Sequence, residues 1–344
     1  MIKKRIPVYN VAVVGATGAV GETMLAILNE RNFPCGTVFA LASANSVGKR
    51  VSFGEENLIV EDLADFDFSQ ADLAFFSAGG DISKKYAPKA AKAGCVVIDN
   101  TSAFRLEENI PLVVTEVNPK DISKFENEGI IANPNCSTIQ MLVAVKPIYD
   151  ISVVNRINVC TYQAVSGTGK LAIEELAKQT SDILNLKEVS RKVYPKQIAF
   201  NCIPEIDMFM SNGYTKEEMK MVWETKKIMC DERISVNATA VRVPVFYGHS
   251  EAVHLETEKK IEIEAALDAL EKAPGVKLLN GSDNQGYPTA VTEGANSDLV
   301  FVGRVREDIS HASGLDMWVV SDNVRKGAAL NSIQIAEILI KNYL

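Results

Sequence analysis

The sequence predicts an α/β protein in which a doubly wound parallel sheet is followed by an α+β unit. Three observations carry this. Strands apolar at nearly every position alternate with amphipathic helical segments up to Ala132, the pattern of a parallel sheet covered on both faces. Beyond Cys136 the strands lengthen and the helices group apart, as expected of a mixed or antiparallel sheet. A chain of 344 residues also exceeds what one hydrophobic core ordinarily organises.

In chain order, Val8–Gly15 reads as a buried first strand and Gly18–Arg31 as a helix, with Val20, Met24, Ile27 and Leu28 on one stripe. Strands follow at Thr37–Ser43 and Ala71–Ser77, a helix at Ile82–Ala93, and strands at Cys95–Asp99 and Gly129–Ala132. The second part opens with a helix at Ser137–Tyr149. Its strands are Val153–Ala164, Ile234–Val245, His249–Glu256, Asp298–Arg306 and Leu315–Ser321. Helices are expected at Leu171–Leu186, Lys216–Met229, Ile261–Lys272 and, at the end, Lys326–Tyr343. With no repeat, low-complexity tract or long linker, the domain boundary is placed near Asn133.

A net charge of −8 argues against a general nucleic-acid surface, which needs a concentrated basic face. Met1–Arg5 is basic, but the apolar run after it leads straight into glycines without a small-residue cleavage site, so it reads as a strand and not as an export signal. No stretch is long and apolar enough to suggest a membrane span. The six cysteines show neither a C-x-x-C pair nor metal-ligand spacing. Free thiols, a cytoplasmic location and no metal are expected.

Gly15-Ala-Thr17-Gly18-Ala19-Val20-Gly21 stands where the first strand turns into a helix. Glycines there let the backbone approach a pyrophosphate, and the helix N-terminus favours its charge. The spacing departs by one position from G-x-G-x-x-G, and such a turn alone could be only a tight turn. Its place at the head of a strand–helix–strand pattern points to a dinucleotide. After the second strand come Ser43, Asn45, Ser46, Lys49 and Arg50, with no carboxylate to repel a 2′-phosphate. NADP is therefore expected over NAD, against the plainer reading of a solvated loop. Ser77-Ala-Gly79-Gly80 offers a second backbone approach.

Asn133-Pro134-Asn135-Cys136-Ser137-Thr138 places a thiol at a helix start. The helix dipole there stabilises a thiolate, and the open N–H groups could serve an oxyanion. A lone cysteine is more often a small buried hydrophobe; this context reverses that expectation. Of the three histidines, His249, beside Gly248 and between two strands, is the candidate acid–base. His254 and His311 could be incidental.

These stretches, with Asn100-Thr-Ser-Ala-Phe-Arg105, Tyr162-Gln163-Ala-Val-Ser166-Gly167-Thr-Gly169, Glu224-Thr-Lys-Lys227, Arg242…Gly248-His249-Ser and Ser321-Asp-Asn323, resemble in order the aspartate-semialdehyde dehydrogenase family. The resemblance covers the whole chain. It implies a Rossmann-like NADP-binding domain, residues 1–133 with the C-terminal helix 322–344, and a catalytic and dimerisation domain over 134–321. It implies Cys136 as the acylated nucleophile, His249 as the acid–base and Gln163 as the residue orienting the thioester. Arg105 and Lys227 would hold phosphate, Arg242 the substrate carboxylate and Glu224 its ammonium, with Asn135 and Ser166 also at the substrate. Gly15, Thr17, Gly18, Ala19, Val20, Ser43, Ser46, Ser77, Gly79, Gly167 and Asn323 would meet the cofactor.

The implied reaction is reductive dephosphorylation of L-aspartyl 4-phosphate, with inorganic phosphate as product, in lysine, threonine and methionine biosynthesis. A homodimer or dimer of dimers is implied, with no nucleic-acid or membrane partner. Without the resemblance, Glu224 and Lys227 at i, i+3 would read as a solvated ion pair, and Arg105 or Arg242 as a surface salt bridge. The family often has Arg where this chain has Asn45, so Lys49 or Arg50 would have to replace it at the 2′-phosphate. N-acetyl-glutamyl-phosphate reductase is the rival enzyme, its substrate longer by a methylene and lacking a free ammonium. A non-catalytic nucleotide-binding paralogue is the rival of another class.

Overall fold

The computed structural model describes residues 8–279, 281 and 286–344; the basic Met1–Arg5 segment lies outside them. The chain divides into two compact units, residues 1–135 with 328–344, and residues 136–327. The first break falls two residues after the expected 133/134, and the second falls after Gly327, so Asp322–Gly327 belongs to the second unit.

In the first unit β1 (Tyr9–Val14) leads into α1 (Ala19–Glu30), and β2 (Cys35–Ala42) is followed by β3 (Arg50–Phe53) and β4 (Glu56–Asp62). Then come β5 (Leu73–Phe76), α2 (Gly80–Lys92), β6 (Val96–Asp99) and β7 (Ile130–Ala132). The sheet is seven-stranded, in the order β3-β4-β2-β1-β5-β6-β7. Only the β3–β4 pair is antiparallel. That hairpin was not predicted. Its strands are short and mostly exposed, so they carry little apolar alternation, and the turn at Gly54 has a φ of +59°.

The central strands are buried because helices lie against them. Val11, Val13, Phe75 and Ile98 form one core with Met24, Leu25 and Leu28 of α1 and with Leu330, Ile333 and Leu339 near the C-terminus. Arg31, at the C-cap of α1, grips Glu337 through two bonds of 2.7 and 2.8 Å. The turn after β1 is held by close approach. A Cβ on Gly21 would stand 2.2 Å from the Gly15 carbonyl oxygen, and one on Gly15 2.9 Å from the Ser77 backbone.

The second unit begins with α3 (Cys136–Tyr149), then β8 (Val154–Gln163), α4 (Lys170–Leu184), α5 (Lys216–Met229), β9 (Ser235–Arg242) and β10 (His249–Thr257). It continues with α6 (Ile263–Lys272), β11 (Val276–Leu279), β12 (Val300–Glu307) and β13 (Gly314–Ser321). Its six strands run β11-β12-β13-β10-β8-β9, mixed as expected. Helices α3, α5 and α6 pack on the sheet. α3 is apolar nearly all round and buried from Ser137 to Val145, the signature of a central helix.

Two boundaries differ from expectation for physical reasons. β9 stops at Arg242 and not at Val245, because Pro244 has no N–H to give a ladder. The final helix does not run straight from Lys326: a π turn spans Arg325–Ala329 before α7 (Leu330–Asn342). Asp322 shapes that entry, accepting from the Val324 and Arg325 N–H groups at 2.8 and 2.9 Å. β11 was missed because it is a short, half-exposed edge strand.

Substituting Gly21 by Ala is expected to push α1 off β1 and cost about 1–3 kcal/mol, several degrees in thermal unfolding. An unchanged melting temperature would contradict the close approach.

Candidate active site

The register of the second sheet brings distant residues into one row. Gln163, the last residue of β8, pairs with Arg242, the last of β9, and His249, the first of β10, pairs with Ser321, the last of β13. Side chains alternate along a strand, so Thr161 shares a face with Gln163, and Glu251 with His249. All of these are buried.

Cys136 is the first residue of α3 and is half-buried, while Ser137 and Thr138 behind it are fully buried. Pro134 keeps the preceding Asn133 extended, the helix begins two residues after the proline, and Cys136 sits at the positive end of its dipole. Gly327, in the π turn, packs on it: a Cβ there would stand 2.8 Å from the Cys136 Cβ.

The Gln163 amide Nε2 donates to Ser137 Oγ at 2.9 Å, Thr161 Oγ1 at 3.3 Å and Glu217 Oε1 at 3.3 Å. Glu217 in turn receives Lys220 Nζ at 2.9 Å. Sequence reading missed Glu217, because an acidic first turn on a helix looks like a solvated, dipole-matched end.

The Ala164 backbone is held at both ends. Its N–H donates to His249 Nδ1 at 3.1 Å, and its carbonyl accepts from Arg242 Nη1 at 2.7 Å. With Nδ1 an acceptor, the ring proton of a neutral His249 lies on Nε2. Burial first, and the neighbouring Arg242 charge second, push the His249 pKa down to about 3. The imidazole is therefore neutral at physiological pH. Gly167 lies over this pair: a Cβ there would be 3.1 Å from Arg242 Nη1 and 3.4 Å from His249 Nε2.

Asn323 is a brace. Its Oδ1 accepts from the Gly248 N–H at 3.0 Å, and its amide bonds Ser166 Oγ at 3.0 Å. Glu224 is 1% exposed, on the buried stripe of α5 with Glu217, Met221 and Ile228. Its burial removes the reading of a solvated Glu224–Lys227 pair. Lys227 itself is half-buried.

In the first unit the residues expected to meet the cofactor gather at the carboxyl ends of β1, β2 and β5, where open parallel sheets bind ligands. Gly18 is the N-cap of α1 and no side chain caps that turn, leaving the backbone N–H groups after it, at Ala19 and Val20, suited to a pyrophosphate. Thr17 lies in the same turn. Gly79, at a φ of +96°, caps α2 behind Ser77, with open space where a side chain would stand. Ser43 and Asn45 are exposed; Ser46 is buried and receives Lys49 Nζ at 3.4 Å. These features fit a dinucleotide.

The expectation that no carboxylate stands near the end of β2 needs correcting. β4 pairs alongside and sets Asp62 opposite Ala42, with Asp62 Oδ1 engaged by the Ala64 N–H at 2.9 Å. Strand pairing placed it there, which reading along the chain could not show. Arg105 also lies in this unit, buried in the loop after β6, with Nη2 donating to the Asn100 carbonyl at 2.8 Å. Asn135, also buried, is the unit's last residue before the chain passes to Cys136.

The family described as semialdehyde dehydrogenase, NAD binding domain, matches residues 10–125, and semialdehyde dehydrogenase, dimerisation domain, matches residues 145–326. Aspartate-semialdehyde dehydrogenase of Shewanella violacea is 63% identical over 97% of this chain and 98% of that one. The chain belongs to the aspartate-semialdehyde dehydrogenase family. Among solved structures, aspartate semialdehyde dehydrogenase II of Vibrio cholerae, complexed with ASA, is 58% identical and superposes with a TM-score of 0.96 over 98% of this chain and 99% of that one. The enzyme from Candida albicans, solved with NADP, is 25% identical with a TM-score of 0.77, covering 98% of this chain and all of that one. This member of the family is thus an NAD(P)-dependent oxidoreductase of amino-acid biosynthesis carrying a dimerisation domain. No helix among the described residues is long and apolar enough to cross a membrane.

The bond from Ala164 predicts that His249 keeps its proton on Nε2 and does not titrate between pH 5 and 9, whereas a free histidine titrates near 6.5. Imidazole nitrogen NMR with a His249→Asn control will show this; a titration of His249 near neutrality would refute it. The sign follows from the depression. The neutral buried ring contributes stability above the ordinary histidine value, and that contribution is lost as pH falls toward about 3.

Proposed function

We propose that the chain catalyses the NADP-dependent reductive dephosphorylation of L-aspartyl 4-phosphate to L-aspartate 4-semialdehyde through a thioester on Cys136. The observation that carries this is Cys136 at the head of α3, in a unit whose sheet lines up Gln163, Arg242 and His249 at adjacent strand ends. The Cys136 thiolate attacks the acyl carbon; the carbon–sulfur bond forms, the carbon–oxygen bond to phosphorus breaks, and phosphate leaves against Arg105 and Lys227. Arg242 takes the substrate carboxylate, and its Nε has no hydrogen-bond partner among the described residues. Glu224 takes the ammonium, while Gln163, Asn135 and Ser166 orient the acyl group.

When bound, the reduced nicotinamide supplies hydride to the acyl carbon. Gly15, Thr17, Gly18, Ala19, Val20, Ser77 and Gly79 would hold its phosphates, Ser43, Ser46 and Lys49 the 2′-phosphate, and Gly167 and Asn323 the nicotinamide end. His249 gives the oxyanion of the hemithioacetal a hydrogen bond from Nε2–H and keeps its proton. Collapse of that oxyanion restores the carbonyl, breaks the carbon–sulfur bond and returns Cys136 as thiolate, so a neutral imidazole suffices. The division of labour is covalent catalysis in two steps.

Relatives named for the aspartate enzyme, and a buried carboxylate at Glu224, favour this substrate over an N-acetylglutamyl phosphate. The NADP-bound relative supports NADP. The domain roles, with residues 136–327 catalytic and dimer-forming, assembly as a homodimer or dimer of dimers, and a cytoplasmic site of action belong to the same proposal.

Cys136→Ala is expected to abolish turnover, a loss of at least about 10⁴-fold, while NADP affinity by fluorescence stays within about twofold; retained turnover sinks the thioester. Lys49→Ala should raise the KM for NADP about tenfold, the scale of one phosphate contact, and leave that for NAD unchanged. Equal effects on both cofactors would take Lys49 out of the 2′-phosphate site.

A further inference from the structure

We propose that Glu251 is a positioning residue for this reaction: from the sheet face beneath α3 it holds Ser137 and, through Ser137, the Gln163 amide and the turn that presents Cys136. This rests on Cys136 and Gln163 acting as described above.

Glu251 stands two residues after His249 on β10, hence on the same face of the sheet, and pairs across to Thr161 of β8. It is fully buried, on a strand whose other inward positions include Val253 and Leu255. A carboxyl in such a place is costly, and an apolar side chain would fill it without that cost. The polar groups it faces are the Gln140 amide and the Ser137 hydroxyl, one turn apart on α3. Among the described residues neither carboxyl oxygen of Glu251, nor either amide atom of Gln140, completes a hydrogen bond of normal geometry. The two buried side chains therefore have donor and acceptor capacity for each other and for Ser137.

Ser137 Oγ accepts from Gln163 Nε2, and Glu251 faces the same hydroxyl from the sheet side. Gln163 is thus clamped between Ser137 on α3 and Glu217 on α5. Burial holds Glu251 well above the usual carboxylate range, outweighing the hydrogen-bonding influence of Gln140 and Ser137. A neutral acid brings both an O–H donor and a C=O acceptor and sets no negative charge beneath the thiolate. An amide has the same shape and the same two capacities, so glutamine should replace Glu251, whereas an apolar side chain should not.

The experiment compares Glu251→Gln, Glu251→Leu, Ser137→Ala and the double variant Glu251→Leu/Ser137→Ala in the full-length enzyme. Steady-state kinetics, thermal unfolding and the rate of Cys136 alkylation by iodoacetamide are measured for each. Expected are a fall in kcat of roughly ten- to a hundredfold for Glu251→Leu, the scale of a small misplacement of reacting groups, and a KM for NADP within about twofold. Ser137→Ala should reproduce that fall. Glu251→Gln should recover most of it, and the double variant should be no worse than either single one, since the two residues act as one unit.

A folded Glu251→Leu enzyme with parental kcat overturns the proposal, as does a Glu251→Gln enzyme as impaired as Glu251→Leu, or losses that multiply in the double variant. Should Glu251→Leu not fold, Ser137→Ala and Glu251→Gln decide: a kinetically silent Ser137→Ala overturns it. Failure of the thioester reading shows separately, as turnover retained by Cys136→Ala.

Discussion

The second unit is organised around burying α3. That helix is apolar on almost every side and lies against the sheet with α5 and α6 beside it, so little of its length meets water. A helix start carries N–H groups with no partner inside the helix, and here the first turn also carries Ser137, Thr138 and Gln140, all fully buried. Buried polar groups must be satisfied or they destabilise the fold. The sheet beneath must therefore carry polar side chains just where α3 begins, and Thr161, Gln163 and Glu251 are there. The polar groups that face the helix start, with Gln163 bonded to Ser137, also surround Cys136 with side chains held by packing.

Rigidity at this site comes from backbone more than from side chains. The backbone of one residue, Ala164, fixes His249 through its N–H and Arg242 through its carbonyl. Three glycines allow the close approaches around it: Gly167 over His249 and Arg242, Gly327 against Cys136, and Gly248, whose φ of +88° and contact with Ala290 exclude a side chain. Asn323 ties the Gly248 N–H to Ser166, linking the start of β10 to the turn after β8. Groups held this way need little reorganisation when charge develops on a substrate, which is the condition for electrostatic stabilisation of an oxyanion.

Much of this was legible in the sequence. Pro134 before a periodic run placed Cys136 at a helix start, and the glycine turn between Val14 and Ala19 placed a cofactor site at the head of the first sheet. Boundaries erred where local chemistry overrode periodicity, at Pro244 and at the π turn that Asp322 caps. What stayed hidden depends on pairing between distant segments. Asp62 reaches the end of β2 only because β4 lies alongside. Glu217 reads as a solvated helix end until its bond to Gln163 is seen. Glu251 did carry a signal: it occupies an inward position in the alternation of His249, Val253 and Leu255, where a carboxyl has no apolar rationale.

Three of the buried glutamates of this unit, Glu217, Glu224 and Glu251, differ in surroundings, and the difference suits an anionic substrate. Glu217 is balanced by Lys220, which Asp207 also contacts. Burial raises the Glu251 carboxyl well above the usual carboxylate range, which favours its neutral form. Glu224 lies two turns beyond Glu217 on α5, with the cationic Lys227 one turn further on. Lys220 thus offsets Glu217, and burial disfavours a charge on Glu251. Near the strand ends stand the Arg242 guanidinium and the positive end of α3, while His249 is neutral. An ionised Glu251 would oppose both a thiolate and an incoming phosphate at short range, in a medium that screens charge poorly. Keeping that acid protonated retains its hydrogen-bonding capacity and removes its charge.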